Sequence, residues 1–332
     1  MEKETELILE SLSQEEKEFY RGKRVLVVGG AGFIGSWLSE SLHAMGARVT
    51  CLDNMSTGSR RNLENLLGKE GFELIEADVT KTEIGDYDIA FHGAAMPAPD
   101  MYMERPVEAM LPDSIGLLRV LEGVKGRVVF LSSSEVYGEP EVVPTPESYP
   151  GKVDPIGPRS PYEESKRFGE ALAMSFFRER GKDVRIARIF NTYGPRLDPG
   201  SPYARVVTRF VERALSGKPL EIHGDGLQTR SFAFVSDTVA GLIKLGACSD
   251  CAGEAFNIGG EEEVTVLELA AIVMELTGSR VPIVHTPPRP GDPRRRRPDI
   301  SKAKRRLGWR PRVSLREGIL MTIEWYRRMG YG

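Results

Sequence analysis

The sequence predicts an α/β fold, a doubly wound parallel sheet joined to a smaller α/β unit built from later segments. Three observations predict it. Short apolar, β-branched runs alternate with helix-length segments through the first 190 residues. The first run ends in a glycine turn that opens a helix, and the second ends in an acidic residue about twenty positions beyond the glycines.

Residues 1–22 are rich in glutamate and carry Leu7, Leu9, Leu12 and Phe19, so they read as a leading helix that packs on the body or a partner. Residues 24–28, Arg-Val-Leu-Val-Val, form the first strand and run into Gly29-Gly30-Ala31-Gly32-Phe33-Ile34-Gly35 and a helix over 36–45. Glycine supplies the backbone angles of so tight a turn and leaves room for a diphosphate, which the free N–H groups of the next helix can receive. Such a turn alone can also bind nothing. Residues 48–52 form a second strand ending at Asp53-Asn54, where the Asp53 carboxylate can accept hydrogen bonds from an adenosine ribose and would repel a phosphate on it. The cofactor expected is therefore NAD rather than NADP. A third strand over 72–77 stops at Asp78-Val79, near an adenine edge, and residues 89–92 run into Gly93-Ala94-Ala95, small enough for a cofactor to lie close. His92 reads as structural. Expected cofactor contacts are Gly29, Gly32, Phe33, Ile34, Gly35, Asp53, Asn54, Asp78, Val79, Ala94 and Ala95.

A helix over about 106–122 leads to the strand 127–131 and then Ser132-Ser133-Ser134-Glu135. Open parallel sheets bind ligands beyond their carboxyl ends, so this cluster is a site candidate, although serines also cap turns. After a proline-rich connection, Arg159-Ser160-Pro161-Tyr162-Glu163-Glu164-Ser165-Lys166 reads as a helix start, with Ser160 as N-cap and Glu163 completing a capping box. Tyr162 and Lys166 then share one helical face. A phenol ordinarily ionises near pH 10, so service as a base near neutrality asks for a fall of roughly 3 units, about 4 kcal/mol. A lysine ammonium one turn away and a cationic nicotinamide both pull in that direction.

Further on, residues 184–189 read as a strand, 220–226 with 228–232 as a hairpin containing a structural His223, and 268–277 as a core-packing helix. Arg289-Pro290-Gly291-Asp292-Pro293-Arg294-Arg295-Arg296-Arg297-Pro298 is the densest charge on the chain and leads to a short helix at Ser301. Arginine forks suit diphosphates and carboxylates. With 332 residues, a net charge of −3 and 40% hydrophobic residues, the composition is that of a soluble globular protein and gives nucleic acid no global attraction. No stretch reads as a membrane span, and a cytoplasmic location is expected. Three cysteines are expected to be reduced, and Cys248-Ser249-Asp250-Cys251 reads as a surface loop, not half a zinc or redox site. No metal is expected.

Together these motifs resemble the extended short-chain dehydrogenase/reductase family, from Lys23 to Arg328. The resemblance implies a Rossmann NAD domain over 23–190 with parts of 227–265, and a nucleotide-sugar domain from 191–226 and 266–332. It implies that Ser133 assists Tyr162 in a proton relay while Lys166 holds the nicotinamide ribose, both Tyr162 and Lys166 contacting the cofactor. It further implies a diphosphate facing Asn191, Arg230 and Arg289, a homodimer, and a sugar carboxylate facing Arg296 or its neighbour Arg294. Ser134-Glu135-Val136-Tyr137-Gly138, Pro155-Ile156-Gly157-Pro158-Arg159-Ser160 and residues 293–300 are most similar to the branch that decarboxylates UDP-glucuronate. There Ser134, Glu135 and Arg296 join the catalytic group, since 4-epimerases usually lack the carboxylate and 4,6-dehydratases carry Asp-Glu instead of Ser134-Glu135. The chain departs from that branch at Glu104, Glu108 and Asp113, the last replacing an asparagine. Acidic groups there oppose a carboxylate substrate unless they face elsewhere, so a UDP-sugar 4-epimerase is the alternative. A non-catalytic NAD-binding protein and an RNA binder are less consistent with an intact Ser133, Tyr162 and Lys166 and the acidic balance.

Overall fold

Six parallel strands form where the apolar runs lie: β1 (Arg24–Val28), β2 (Arg48–Asp53), β3 (Phe72–Glu76), β4 (Ile89–His92), β5 (Arg127–Ser133) and β6 (Val184–Ile189). The computed structural model describes residues 2–197, 205–289 and 291–331. A seventh strand, Glu254–Ile258, adds outside β6, and the order across the sheet is Glu254–Ile258, β6, β5, β4, β1, β2, β3. Every pairing is parallel. Because both faces of the inner strands are covered by helices, β1, β4 and β5 are almost wholly buried, which is why their sequences are continuously apolar instead of alternating. The winding direction reverses between β1 and β4, opening a crevice beyond their carboxyl ends.

The leading segment makes two helices where one was expected: α1 (Lys3–Glu10) and α2 (Gln14–Tyr20). Ser13 accepts a hydrogen bond from the Glu16 N–H while the Glu16 carboxylate accepts from the Ser13 N–H, and this capping box restarts the chain in a new direction. Ile8, Leu12 and Tyr20 enter the main core, and the Tyr20 hydroxyl donates to the Ile243 carbonyl at 2.7 Å. The glycine turn leads into α3 (Phe33–Ala44). The stretch read as a single helix before β5 comprises α4 (Pro99–Glu104), α5 (Pro106–Met110), a π turn over Pro112–Gly116 and α6 (Leu117–Gly123). The helix carrying the tyrosine is α7 (Ser160–Arg180), closed by Gly181 in the left-handed conformation.

Two further expectations are corrected. Leu220–His223 and Thr229–Ser231 do not form a hairpin: the first pairs with Ile283–Thr286 and the second with Glu263–Thr265 and Arg295–Arg296. Gly224 and Gly226, both at positive φ, and the Asp225 carboxylate accepting from the Leu227 N–H turn the chain out of the first sheet into the second. Cys248 and Cys251 do lie in the loop between the helix Val235–Ala247 and the strand Glu254–Ile258, but they are joined as a disulfide, leaving Cys51 as the free, buried thiol. Among the described residues no helix is long and apolar enough to cross a membrane.

Candidate active site

Beyond the carboxyl ends of β1, β2, β4 and β5 lies a cavity of about 910 Å³. Its floor is the glycine turn. Gly29 has φ +78°, and a Cβ there would stand 2.8 Å from the Ala94 nitrogen; one on Gly35 would stand 2.2 Å from the Gly29 carbonyl oxygen. Side chains are thus excluded where the turn, α3 and the Gly93-Ala94 backbone meet. Gly32 precedes α3 without a side-chain cap, leaving the helix's first N–H groups available to an anion. At the end of β2, the Asp53 carboxylate accepts from the Ala31 and Met55 N–H groups at 2.9 Å each; burial pushes its pKa up against those bonds. The cavity is lined by Gly29, Gly32, Phe33, Ile34 and Gly35 at one end and by Asp53, Asn54, Asp78 and Val79 at the other. Ala94, Ala95, Ser133, Tyr162 and Lys166 close its inner wall. A cradle that only glycine can form, free N–H donors and a carboxylate acceptor suit a dinucleotide's diphosphate and ribose.

The start of α7 differs from expectation. Its N-cap is Arg159, with no side-chain cap bond, and Glu163 reaches back to the Arg159 guanidinium at 3.0 Å instead of capping. A buried arginine is a stronger partner for that carboxylate than a backbone N–H. Tyr162 and Lys166 nevertheless share the inward face and are 5% and 2% exposed. The Lys166 ammonium donates to the Asp113 carboxylate and to the Leu131 carbonyl, each at 2.8 Å, and stands 5.7 Å from the centre of the Tyr162 ring. Tyr102 stacks on Tyr162 with ring centres 5.5 Å apart. Burial pushes the Tyr162 phenol up; Lys166, Arg205 and a hydrogen bond from Ser133 pull it down, and Asp113 adds to the rise. The protein alone therefore leaves this phenol less acidic than a free one, contrary to the fall expected with nicotinamide present.

A second cavity of about 210 Å³ shares Ser133 and Tyr162 with the first and contains Glu135, Asn191, Arg230, Arg289 and Arg296. Its centre is a carboxylate between two arginines. Arg296 holds one Glu135 oxygen and Arg159 the other, the latter at 2.7 Å. Although burial pushes the Glu135 carboxyl up, the two guanidiniums outweigh it and bring its pKa down to about 2. Arg296 also donates to the Gly138 carbonyl at 3.1 Å, while its buried Nε has no partner among the described residues. Arg230 pairs with Asp292 at 2.9 Å and Arg289 with Asp100 at 3.6 Å.

Two expected site residues lie elsewhere. Arg294 is exposed and pairs with Asp225 at 3.3 Å, so of the four adjacent arginines at 294–297 it is Arg296 that lines the cavity with Glu135. Ser134 is buried and lines neither cavity. Arg159, Tyr102 and Arg205 join the site without any sequence expectation of it, and Asp113, expected only as an acidic departure, enters as the partner of Lys166. Arg159 lies next to the predicted helix start, but its 24-residue separation from Glu135 gives no periodic signal. Of the three acidic departures, none lines the second cavity: Glu104 is exposed, Glu108 is exposed at the larger cavity and paired with Arg105, and Asp113 is buried and paired with Lys166.

The family model described as GDP-mannose 4,6 dehydratase matches residues 26–322. UDP-glucuronic acid decarboxylase 1 of Danio rerio is 43% identical over 309 residues, covering 92% of this chain and 73% of that protein. UDP-glucuronic acid decarboxylase 3 of Arabidopsis thaliana is 45% identical, covering 92% and 89%. Among solved structures, UDP-glucuronic acid 4-epimerase from Bacillus cereus in complex with UDP-glucuronic acid and NAD superposes with a TM-score of 0.81 at 27% identity, covering 92% of this chain and 99% of that one. With its sheet order, glycine cradle and Ser133, Tyr162 and Lys166 in one cavity, the chain belongs to the GDP-mannose 4,6 dehydratase family of extended short-chain dehydrogenases/reductases.

Proposed function

We propose that the protein is an NAD-dependent carboxy-lyase that converts UDP-glucuronate to UDP-xylose through a 4-keto sugar. The observation that carries this reading is the meeting of Glu135, Arg159 and Arg296 beside Tyr162 and Ser133 in one small cavity. It agrees with the activity named in the relatives from Danio rerio and Arabidopsis thaliana.

In this reading the glycine turn, Asp53, Asp78 and Lys166 would hold NAD, which would supply the acceptor and later the donor of hydride at the sugar's C4. Tyr162, assisted by Ser133, takes the proton of the 4-hydroxyl. The C4 ketone then lies β to the carboxylate, and such an acid loses CO₂ because the electrons of the breaking bond enter an enolate. Arg296, which lines the second cavity beside Tyr162, receives the carboxylate before it leaves. Solvent water supplies the proton that C5 gains, oriented by Arg296 and by Glu135, which is ionised at neutral pH and acts as a hydrogen-bond acceptor and not as the acid, while Tyr162 gives its own proton back to the C4 oxygen when that carbon is reduced. Asn191, Arg230 and Arg289 hold the diphosphate.

The proposal includes the domain division at residue 190 and a cytoplasmic homodimer. Met103, Val107, Ile115 and Phe168, exposed on α4, α5, the π turn and α7, support a second copy covering that face. Purified protein incubated with UDP-glucuronate and NAD⁺ is expected to release CO₂ and a UDP-pentose. A six-carbon epimer without CO₂ would identify a 4-epimerase, and unchanged substrate would overturn both readings.

A further inference from the structure

The ammonium of Lys166 does not face Tyr162 as an unmatched charge. Asp113, fully buried in the π turn over Pro112–Gly116, places one carboxylate oxygen 2.8 Å from Lys166 Nζ, and its other oxygen accepts from the Ser165 hydroxyl at 3.2 Å. A buried ion pair at that distance presents its surroundings with a dipole and almost no net charge. The remaining groups around the pair do not restore a charge. His92, packed against the same turn with Nε2 3.0 Å from the Pro112 carbonyl oxygen, is kept neutral by burial, with its pKa down at about 3. Glu170, one turn along α7 from Lys166, is occupied by Arg188 and Ser132. Around the phenol itself stand Ser133 at the end of β5, the stacked Tyr102 of α4, and Arg205; Glu135 and Glu163 are occupied by arginines.

We propose that Asp113 is a positioning residue that neutralises Lys166, so that Tyr162 becomes an effective base only when the oxidised, positively charged cofactor is in place. This rests on the reading of Tyr162 as the base of a hydride-transfer enzyme. An unmatched lysine would favour the phenolate at all times. With Asp113 present, the ionisation of Tyr162 follows the cofactor's charge, and proton removal from the sugar is tied to the state that can also accept hydride.

The test is a spectroscopic titration of tyrosinate, taken as the difference between each protein and its Tyr162→Phe counterpart, without cofactor and with NAD⁺. Asp113→Asn, nearly the same shape without the charge, is expected to lower the Tyr162 midpoint without cofactor by about one pH unit, tenfold more phenolate at a given pH below it, and to shrink the further fall on adding NAD⁺. Ser165→Ala disturbs the same carboxylate while keeping both charges and is expected to leave the midpoint in place. A midpoint unchanged or raised in Asp113→Asn, or moved equally by Ser165→Ala, overturns the proposal. Asp113→Ser carries the same measurement if the asparagine variant does not fold. Because the titration needs no turnover, it stands apart from the product assay: failure to release CO₂ from UDP-glucuronate defeats the decarboxylase reading and leaves the charge argument to its own result.

Discussion

Replacing Glu135 by glutamine removes the negative charge between Arg159 and Arg296 while keeping the side chain's shape. A carboxyl held at about 2 in the fold, against an ordinary 4.5, is stabilised in its ionised form by about 3 kcal/mol at pH 7. Glu135→Gln is therefore expected to unfold more readily than the wild type by up to about 3 kcal/mol at neutral pH, part of it recovered because Arg159 keeps Glu163 and Arg296 keeps the Gly138 carbonyl. The sign with pH follows from a depressed folded value. The contribution is complete above the unfolded pKa and is lost as pH falls through the folded one, so the window runs from about pH 5 down to about 2. Denaturant unfolding of both proteins at pH 7 and pH 3.5 checks this, with the difference narrowing by about 1 kcal/mol at the lower pH. An equal difference at both pH values, or a variant as stable as the wild type at pH 7, would refute the view of Glu135 as an ionised clamp.

Tyr162→Phe is expected to lower kcat by about 10²- to 10⁴-fold with UDP binding retained, as calorimetry and product assay will report; undiminished turnover removes it as the base. Gly35→Ala puts a Cβ 2.2 Å from the Gly29 carbonyl oxygen, and a loss of about 1–3 kcal/mol should appear in both melting and NAD affinity. Asp53→Ala should narrow the preference for NAD over NADP in direct binding measurements, whereas an unchanged ratio would show that its carboxylate serves only the Ala31 and Met55 N–H groups. Arg159→Lys keeps the charge but loses the fork that spans Glu135 and Glu163, so the KM for UDP-glucuronate should rise, and an unaltered KM would confine Arg159 to a structural role.

The sequence by itself determined six of the seven strands of the central sheet, the glycine-lined crevice and the Tyr162–Lys166 face. These rest on local rules: an apolar run of strand length, a turn only glycine can make, an acidic residue at the next strand end, and two side chains four apart on a helix. All three survive small errors, and α7 presents the pair inward even though its capping box is absent. Tertiary structure alone decided how charges are matched. Glu135 finds Arg296 across 161 residues and Lys166 finds Asp113 across 53, while Arg294, two positions from Arg296, is left in solvent. The false hairpin at 220–232 and the disulfide at 248–251 have the same origin. Backbone sterics and periodicity act over a few residues and are written in their order, whereas the partner of a buried charge or a strand edge is chosen by which groups lose water together when the chain closes, and residue spacing carries no record of that choice.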